Sequence, residues 1–197
     1  MIVCCYVKMI KLYFYNKLNN RELKVGRKLS VDYSALNIRV HPHHTQQVYV
    51  DLFMAAYEKN RQIPLGGHTS AKLSGLWPMN EDKPLDGLVG EIPKYNNIDP
   101  DSWVNIETGK HAEQDELDEI NIPRDLKPNG KQFYFIFFPR EHILVSEARD
   151  KDGAFGPKLQ AKFFKFLFSP KDIVEQFTAI DITIFPDEST LNQILNS

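Results

Sequence analysis

The sequence predicts an α+β fold: a mostly antiparallel sheet with helices packed on one face, in a single domain. Three observations carry that expectation. Phe133–Phe138 (FYFIFF) is apolar on both alternating faces, stops at Pro139, and is followed from His142 by a second alternating stretch. A strand apolar on both faces is covered on both sides, and the short charged tip makes the pair a hairpin. Helical and strand-like stretches then follow one another irregularly, which argues against a doubly wound parallel sheet. Finally, no period of roughly 20–50 residues recurs, which excludes a solenoid.

The elements follow in order. In VDYSALNIRVHP, Leu36, Ile38 and Val40 alternate with Tyr33, Ala35 and Asn37, a strand stopped by Pro42. Val48, Leu52, Phe53, Ala56 and Tyr57 recur at helical spacing, with Thr45 as the expected N-cap and Pro64 as the expected stop. The Gly-, Pro- and Asn-punctuated stretch that follows predicts short strands over 72–78 and 85–92, and the glycines inside the second suggest a bulge or a close backbone approach. Residues 99–132 are polar and acidic and read as a long loop with one weak helix near 112–119. Loops longer than ~12–15 residues are commonly functional. Trp103 is expected to pin that loop to the core. GPKLQAKFFKFLF reads as a helix with Pro157 in its first turn and a buried stripe of Leu159, Phe163, Phe166 and Leu167. Ser169 is the expected cap of a second helix with Ile173, Val174 and Phe177 inward, and Asp172 at the capping-box position. AIDITIFP supplies a strand with Ile180, Ile182 and Ile184 on one face, and Asp187 starts a last helix through Leu195.

Composition bounds the rest. The chain has 197 residues, 42% of them apolar, with 13 phenylalanines. That is enough to form a core without a metal or disulfide. The formal charge of −2 gives no basic field, so nucleic-acid binding through bulk charge is not supported. The two cysteines, Cys4 and Cys5, are adjacent and form no disulfide or zinc framework, which fits a reducing, cytoplasmic setting. The apolar, aromatic N-terminus is interrupted by Lys8, Lys11 and Lys17, so neither a membrane span nor a signal peptide is expected. The expected organisation is an N-terminal extension, 1–29, read as a peripheral strand or helix with Met9 as a rival start, and one α+β domain, 30–197.

Two clusters carry ligand-type chemistry. His41, His43 and His44 sit where a strand passes into a helix; His41 and His43 are the metal-ligand candidates. The bland reading is a wet, histidine-rich loop, since adjacent side chains in extended chain point apart and no carboxylate spacing completes a site. At the hairpin tip, His142 is the candidate general base and Arg140 the candidate phosphate clamp. The bland reading there is a charged tip that guards an apolar strand against aggregation. The carboxylates from Asp99 to Glu119 lack the calcium-loop spacing and read as a solvated face. No nucleotide loop, nucleophile elbow or kinase motif occurs. No cofactor is identified.

The segments SALNIRVHPHH, PLDGLVGEIPKYNNIDPDSWVNIETG, LDEINIPRDLKPN and FYFIFFPREHILVSE, in that order, resemble a bacterial domain-of-unknown-function family numbered four-seven-four-seven, over roughly 34–195. The shared motif positions are Asn37, Arg39, His41, Pro42, Asn97, Asp99, Pro100, Asn121, Pro123, Pro139 and His142. The resemblance implies a chain shorter at its C-terminus than other members. By association it implies a phage-defence or toxin-like setting. Two functions are expected from different classes. One is an accessory or interaction module of such a system, partnered by another protein or by itself, which the lack of a catalytic motif, the near-neutral charge and a long acidic loop suited to a partner support. The other is a histidine-based or metal-dependent nuclease in which His41, His43, His142 and Arg140 converge.

Overall fold

A computed structural model describes residues 32–42, 45–99, 102–120, 122–123, 125–148 and 155–185. The N-terminal element and the helix expected from Asp187 lie outside the described residues. Eight strands form one sheet, in the order β10-β1-β9-β8-β5-β3-β2 with β4 paired to β5. They are β1 (Asp32–His41), β2 (Gln62–Gly66), β3 (Thr69–Lys72), β4 (Gly75–Pro78), β5 (Leu88–Asn96), β8 (Lys131–Phe138), β9 (Ile143–Ala148) and β10 (Ala179–Ile184). Every pairing is antiparallel. The two-residue strands β6 (Val104–Asn105) and β7 (Lys110–His111) pair only with each other. The helices are α1 (Gln47–Glu58), α2 (Gln114–Asp118), α3 (Pro157–Leu167) and α4 (Lys171–Phe177). The fold is α+β, as expected.

The phenylalanine ribbon is the middle of this sheet. Phe133, Phe135 and Phe137 point into the larger core with α1, α3 and α4, while Ile136 and Phe138 point to the opposite face. There they join Ala35, Val89, Ile143 and Val145 beneath Trp77, Met79 and Phe185. Strand β9 is buried along its whole length. On the helical face Phe53 of α1 stacks on Phe137 at 4.7 Å and meets Phe168 edge-on at 5.2 Å; Phe164 of α3 stands edge-on to Phe135 at 5.4 Å. Each such ring contributes ~2–3 kcal/mol by leaving water.

Gly90 of β5 lies directly across from Phe135, and a Cβ there would stand 2.2 Å from two carbons of that ring. The expected close approach in this strand is thus met at one residue: the ring fills the space over Gly90.

Several local expectations are corrected. Helix α1 stops at Glu58 because Asn60 takes a left-handed conformation, φ +51°, so Pro64 is not the stop. Pro64 lies in β2, a terminal strand of the sheet, the position a proline tolerates. Gly66 and Gly67, both at positive φ, turn β2 into β3. Gln46, not Thr45, is the cap position of α1, and no side chain caps it. In α3 the buried stripe is Gln160, Ala161, Phe163, Phe164 and Leu167, while Phe166 is exposed beneath Lys162. The spacing 160, 163, 164, 167 is the helical period; Gln160 hides it by being polar. Its amide donates to the carbonyls of Phe155 (2.6 Å) and Glu147 (3.1 Å), and its oxygen accepts from the Ser34 hydroxyl (2.6 Å). Ser169 donates back to the Phe166 carbonyl at 2.8 Å rather than capping α4, and Asp172 pairs with Lys59, the residue just past α1. That pairing, chiefly the lysine's hydrogen bond, lowers the Asp172 pKa.

Candidate interaction site

His41, Arg140 and His142 lie at one end of the sheet. Strand β1 runs into His41 and a cis bond to Pro42; the four residues Pro139–His142 join β8 to β9. His142 is the last turn residue rather than the first strand residue. It takes φ +60°, its carbonyl accepts from Ile38 N–H at 2.9 Å, and its ring stacks on Tyr49 at 4.6 Å, on the helical face. His41 lies three positions beyond Ile38, ~10 Å along β1. It alternates to the other face, where its Nε2 meets Asp181 at 3.1 Å. Arg140 pairs with Asp86 at 3.2 Å. The structure therefore puts Arg140 and His142 in one turn but sets His41 and His142 on opposite sides of the sheet. His43 and His44 lie outside the described residues. Among the described residues no group of three or more His, Cys, Asp or Glu side chains could hold a metal ion. No helix among them is long and apolar enough to cross a membrane.

The other end of the sheet holds a different arrangement. Strand β5 leaves the sheet at Asn96 and the chain returns at Lys131, directly across from Lys94. Two bonds clamp the base: Asn96 N–H to the Pro128 carbonyl at 3.0 Å and Asn97 N–H to the His68 carbonyl at 2.6 Å. The Asn97 side chain bridges Ser70 (2.9 Å) and Gln62 (2.7 Å), tying the exit to β2 and β3. Lys94 at the base has its pKa lowered, first by burial and then by Lys131; burial raises that of Tyr95.

Within the excursion, Asn105 organises the path. Its side-chain oxygen accepts from the backbone of Glu107 (2.9 Å) and Thr108 (3.1 Å), turning β6 into β7, and its amide donates to Glu116 of α2. Helix α2 begins with a reciprocal capping box between Glu113 and Glu116. The Glu113 N–H and then the Asn105 amide hold the Glu116 pKa below its ordinary value.

This frame leaves apolar side chains facing water. Trp103, Val104, Ile106, Ile120, Ile122 and Leu126 are six of the ten large exposed hydrophobics described, so apolar exposure concentrates here. A pocket of about 250 Å³ opens among Ile98, Trp103, Leu117, Ile120, Ile122 and Leu126, with Pro123 and Lys127 completing its wall. Trp103, 37% exposed, belongs to this pocket and to neither core cluster, so it does not pin the loop to the sheet. Residues 97–130 carry nine carboxylates against three basic residues, a net of −6, and five of the nine flank Leu117 between Glu113 and Glu119. The acidic loop reads in sequence as suited to a partner, but the pocket within it does not, because its apolar members, Ile98, Trp103, Leu117, Ile120, Ile122 and Leu126, are dispersed singly among polar residues without a period. Their number in so acidic a segment was the available signal.

A family model described as "Domain of unknown function (DUF4747)" matches residues 29–197, and the chain belongs to that family. No curated protein and no solved structure matches the chain.

Proposed function

We propose that this member of the family is an interaction module whose recognition element is the 97–130 excursion, and that it binds an apolar, basic segment of a partner protein. The observation that carries this is the pocket itself: an apolar floor with a tryptophan, about 250 Å³, set in a segment of net charge −6. That volume admits one large side chain and falls below the ~300–1,000 Å³ of small-molecule sites. Exposed apolar patches rimmed by charge mark protein contacts, and acidic rims select basic partners. An accessory role in a defence or toxin-like system, the setting the family resemblance suggested, is compatible with such a module. The nuclease reading draws no support from His41 and His142, which face away from each other.

The test is a photo-reactive phenylalanine analogue at Leu126, irradiated in extract of the cells the chain comes from, with the same analogue at Arg39 as control. The expected product is an adduct whose attachment point, mapped by mass spectrometry, is an aromatic or aliphatic residue flanked by lysine or arginine, and which is lost when Ile120→Asp is added. Equal adducts at both positions, or attachment to acidic or uncharged segments, would refute the reading.

A further inference from the structure

The groove has a matching segment in the same chain. Residues 1–31 contain seven lysines and arginines and one glutamate, a net of +6 against the excursion's −6. Within them, Lys11–Lys17 reads KLYFYNK: three consecutive aromatic residues between two lysines. This is the chemistry the pocket selects, a ring for the apolar floor and cations for the rim.

Topology brings the two together. Asp32 pairs with Ala148, Phe133 pairs with Ile92, and Phe135 pairs with Ser146. The start of β1, the end of β9, the start of β8 and the C-terminal half of β5 therefore share one end of the sheet. The excursion leaves from that end at Asn97. Strand β1 is three places from β5 in the sheet order, ~14 Å at ordinary strand spacing. The fourteen residues 18–31 span up to ~46 Å when extended, three times that gap. Joining the segment through its own chain also gives it an effective concentration of about millimolar, so even a weak contact is populated.

We propose that Lys11–Lys17 docks in the excursion's groove as an intramolecular cap, which a partner must displace. This rests on the groove being a recognition site, and it adds the regulation of that site. Tyr13, Phe14 or Tyr15 supplies the ring that enters the pocket beside Trp103. Lys11 and Lys17 reach the carboxylates of α2. Because charge supplies much of the attraction, the cap loosens as salt shortens the range of that attraction.

The test uses the full chain, whose two cysteines, Cys4 and Cys5, both lie in the segment. Nitroxide placed on them reports the segment's position by broadening nearby NMR signals, with the reduced label as reference. The cap predicts broadening of the Trp103 indole and of the Ile120, Ile122 and Leu126 methyl groups, well beyond that of the Ala179 methyl, which lies across from His41 at the opposite end of the sheet. It also predicts loss of that broadening in Lys11→Glu/Lys17→Glu. Equal broadening at both ends overturns the cap. So does broadening that appears only between a labelled and an unlabelled copy, which would make the occupant a second chain. A synthetic peptide of residues 8–18, added in trans, separates the two ideas. Saturable peptide binding at Trp103 without intramolecular broadening leaves the groove reading intact and overturns the cap; absence of both overturns both. If the cap is closed nine-tenths of the time, Lys11→Glu/Lys17→Glu tightens trans-peptide binding roughly tenfold; unchanged affinity counts against the cap.

Discussion

Replacing Gly90 by alanine tests whether the sheet is organised around the phenylalanine ribbon. The added methyl would stand 2.2 Å from the Cε1 and Cζ atoms of Phe135, where ordinary van der Waals contact needs 3.4–4 Å. Phe135 is fully buried and has Phe164 edge-on at 5.4 Å and Phe53 at 5.8 Å, so its ring has nowhere to retreat without moving the helices. Overpacking of this kind costs ~1–3 kcal/mol, and a site this constrained belongs at the upper end. Against that stands a gain of ~0.4–1 kcal/mol from the stiffer unfolded chain. The net expectation is a loss of about 2 kcal/mol, or ~4–8 °C in melting temperature for a chain of this size. Thermal and urea unfolding followed by circular dichroism give the number. Phe135→Leu should be costly alone and yet recover part of the loss when combined with Gly90→Ala, because the smaller side chain vacates the space. A Gly90→Ala protein as stable as the parent, or a double mutant whose losses simply add, would show that the ring does not lie over the glycine.

Other expectations follow from single contacts. Gln160→Leu removes the donor for two buried carbonyls and the acceptor for Ser34, and should cost ~2–3 kcal/mol by urea unfolding. His142→Ala keeps the left-handed turn but loses the stack on Tyr49, and should lower stability by ~1–2 kcal/mol. His142→Gly, which loses the same ring but relieves the backbone, should cost less; the reverse order would mean that residue 142 is not held at positive φ. The Glu116 carboxyl has a lowered folded-state pKa, so its contribution is present above its unfolded pKa and is lost as pH falls through the folded one. Hydrogen exchange at Glu113 N–H should accordingly accelerate in acid while the sheet amides stay protected, and Glu116→Gln should flatten that dependence.

The central ribbon was legible because burial on both faces writes an unbroken apolar run, and Pro139 marks its end. The alternation of β1 and of β10 was equally direct. What stayed hidden was set by tertiary partners. Gln160 is polar in sequence and buried in the fold because Ser34, Glu147 and Phe155 satisfy it from distant elements. Pro64 reads in sequence as the stop of a helix, whereas it lies in an edge strand that Gly66 and Gly67 turn into β3. The histidines drew attention by residue type, yet alternation along β1 sends His41 to one face while the turn sends His142 to the other. The groove needed coordinates, because its wall joins Ile98 to Leu126 across 28 positions, through a turn built by Asn105 and a helix of five residues.

The recognition claim is tested most directly by titrating the peptide of residues 8–18 into the full chain while following Trp103 emission, with Trp103→Phe as the blank. The account predicts a saturable blue shift that strengthens at low salt and fades near 1 M, where the screening length falls to ~3 Å. It further predicts at least roughly tenfold weaker binding in Leu126→Asp, a surface change that leaves the melting temperature nearly unmoved. Emission that does not respond, or a response of equal affinity in Leu126→Asp, would contradict it.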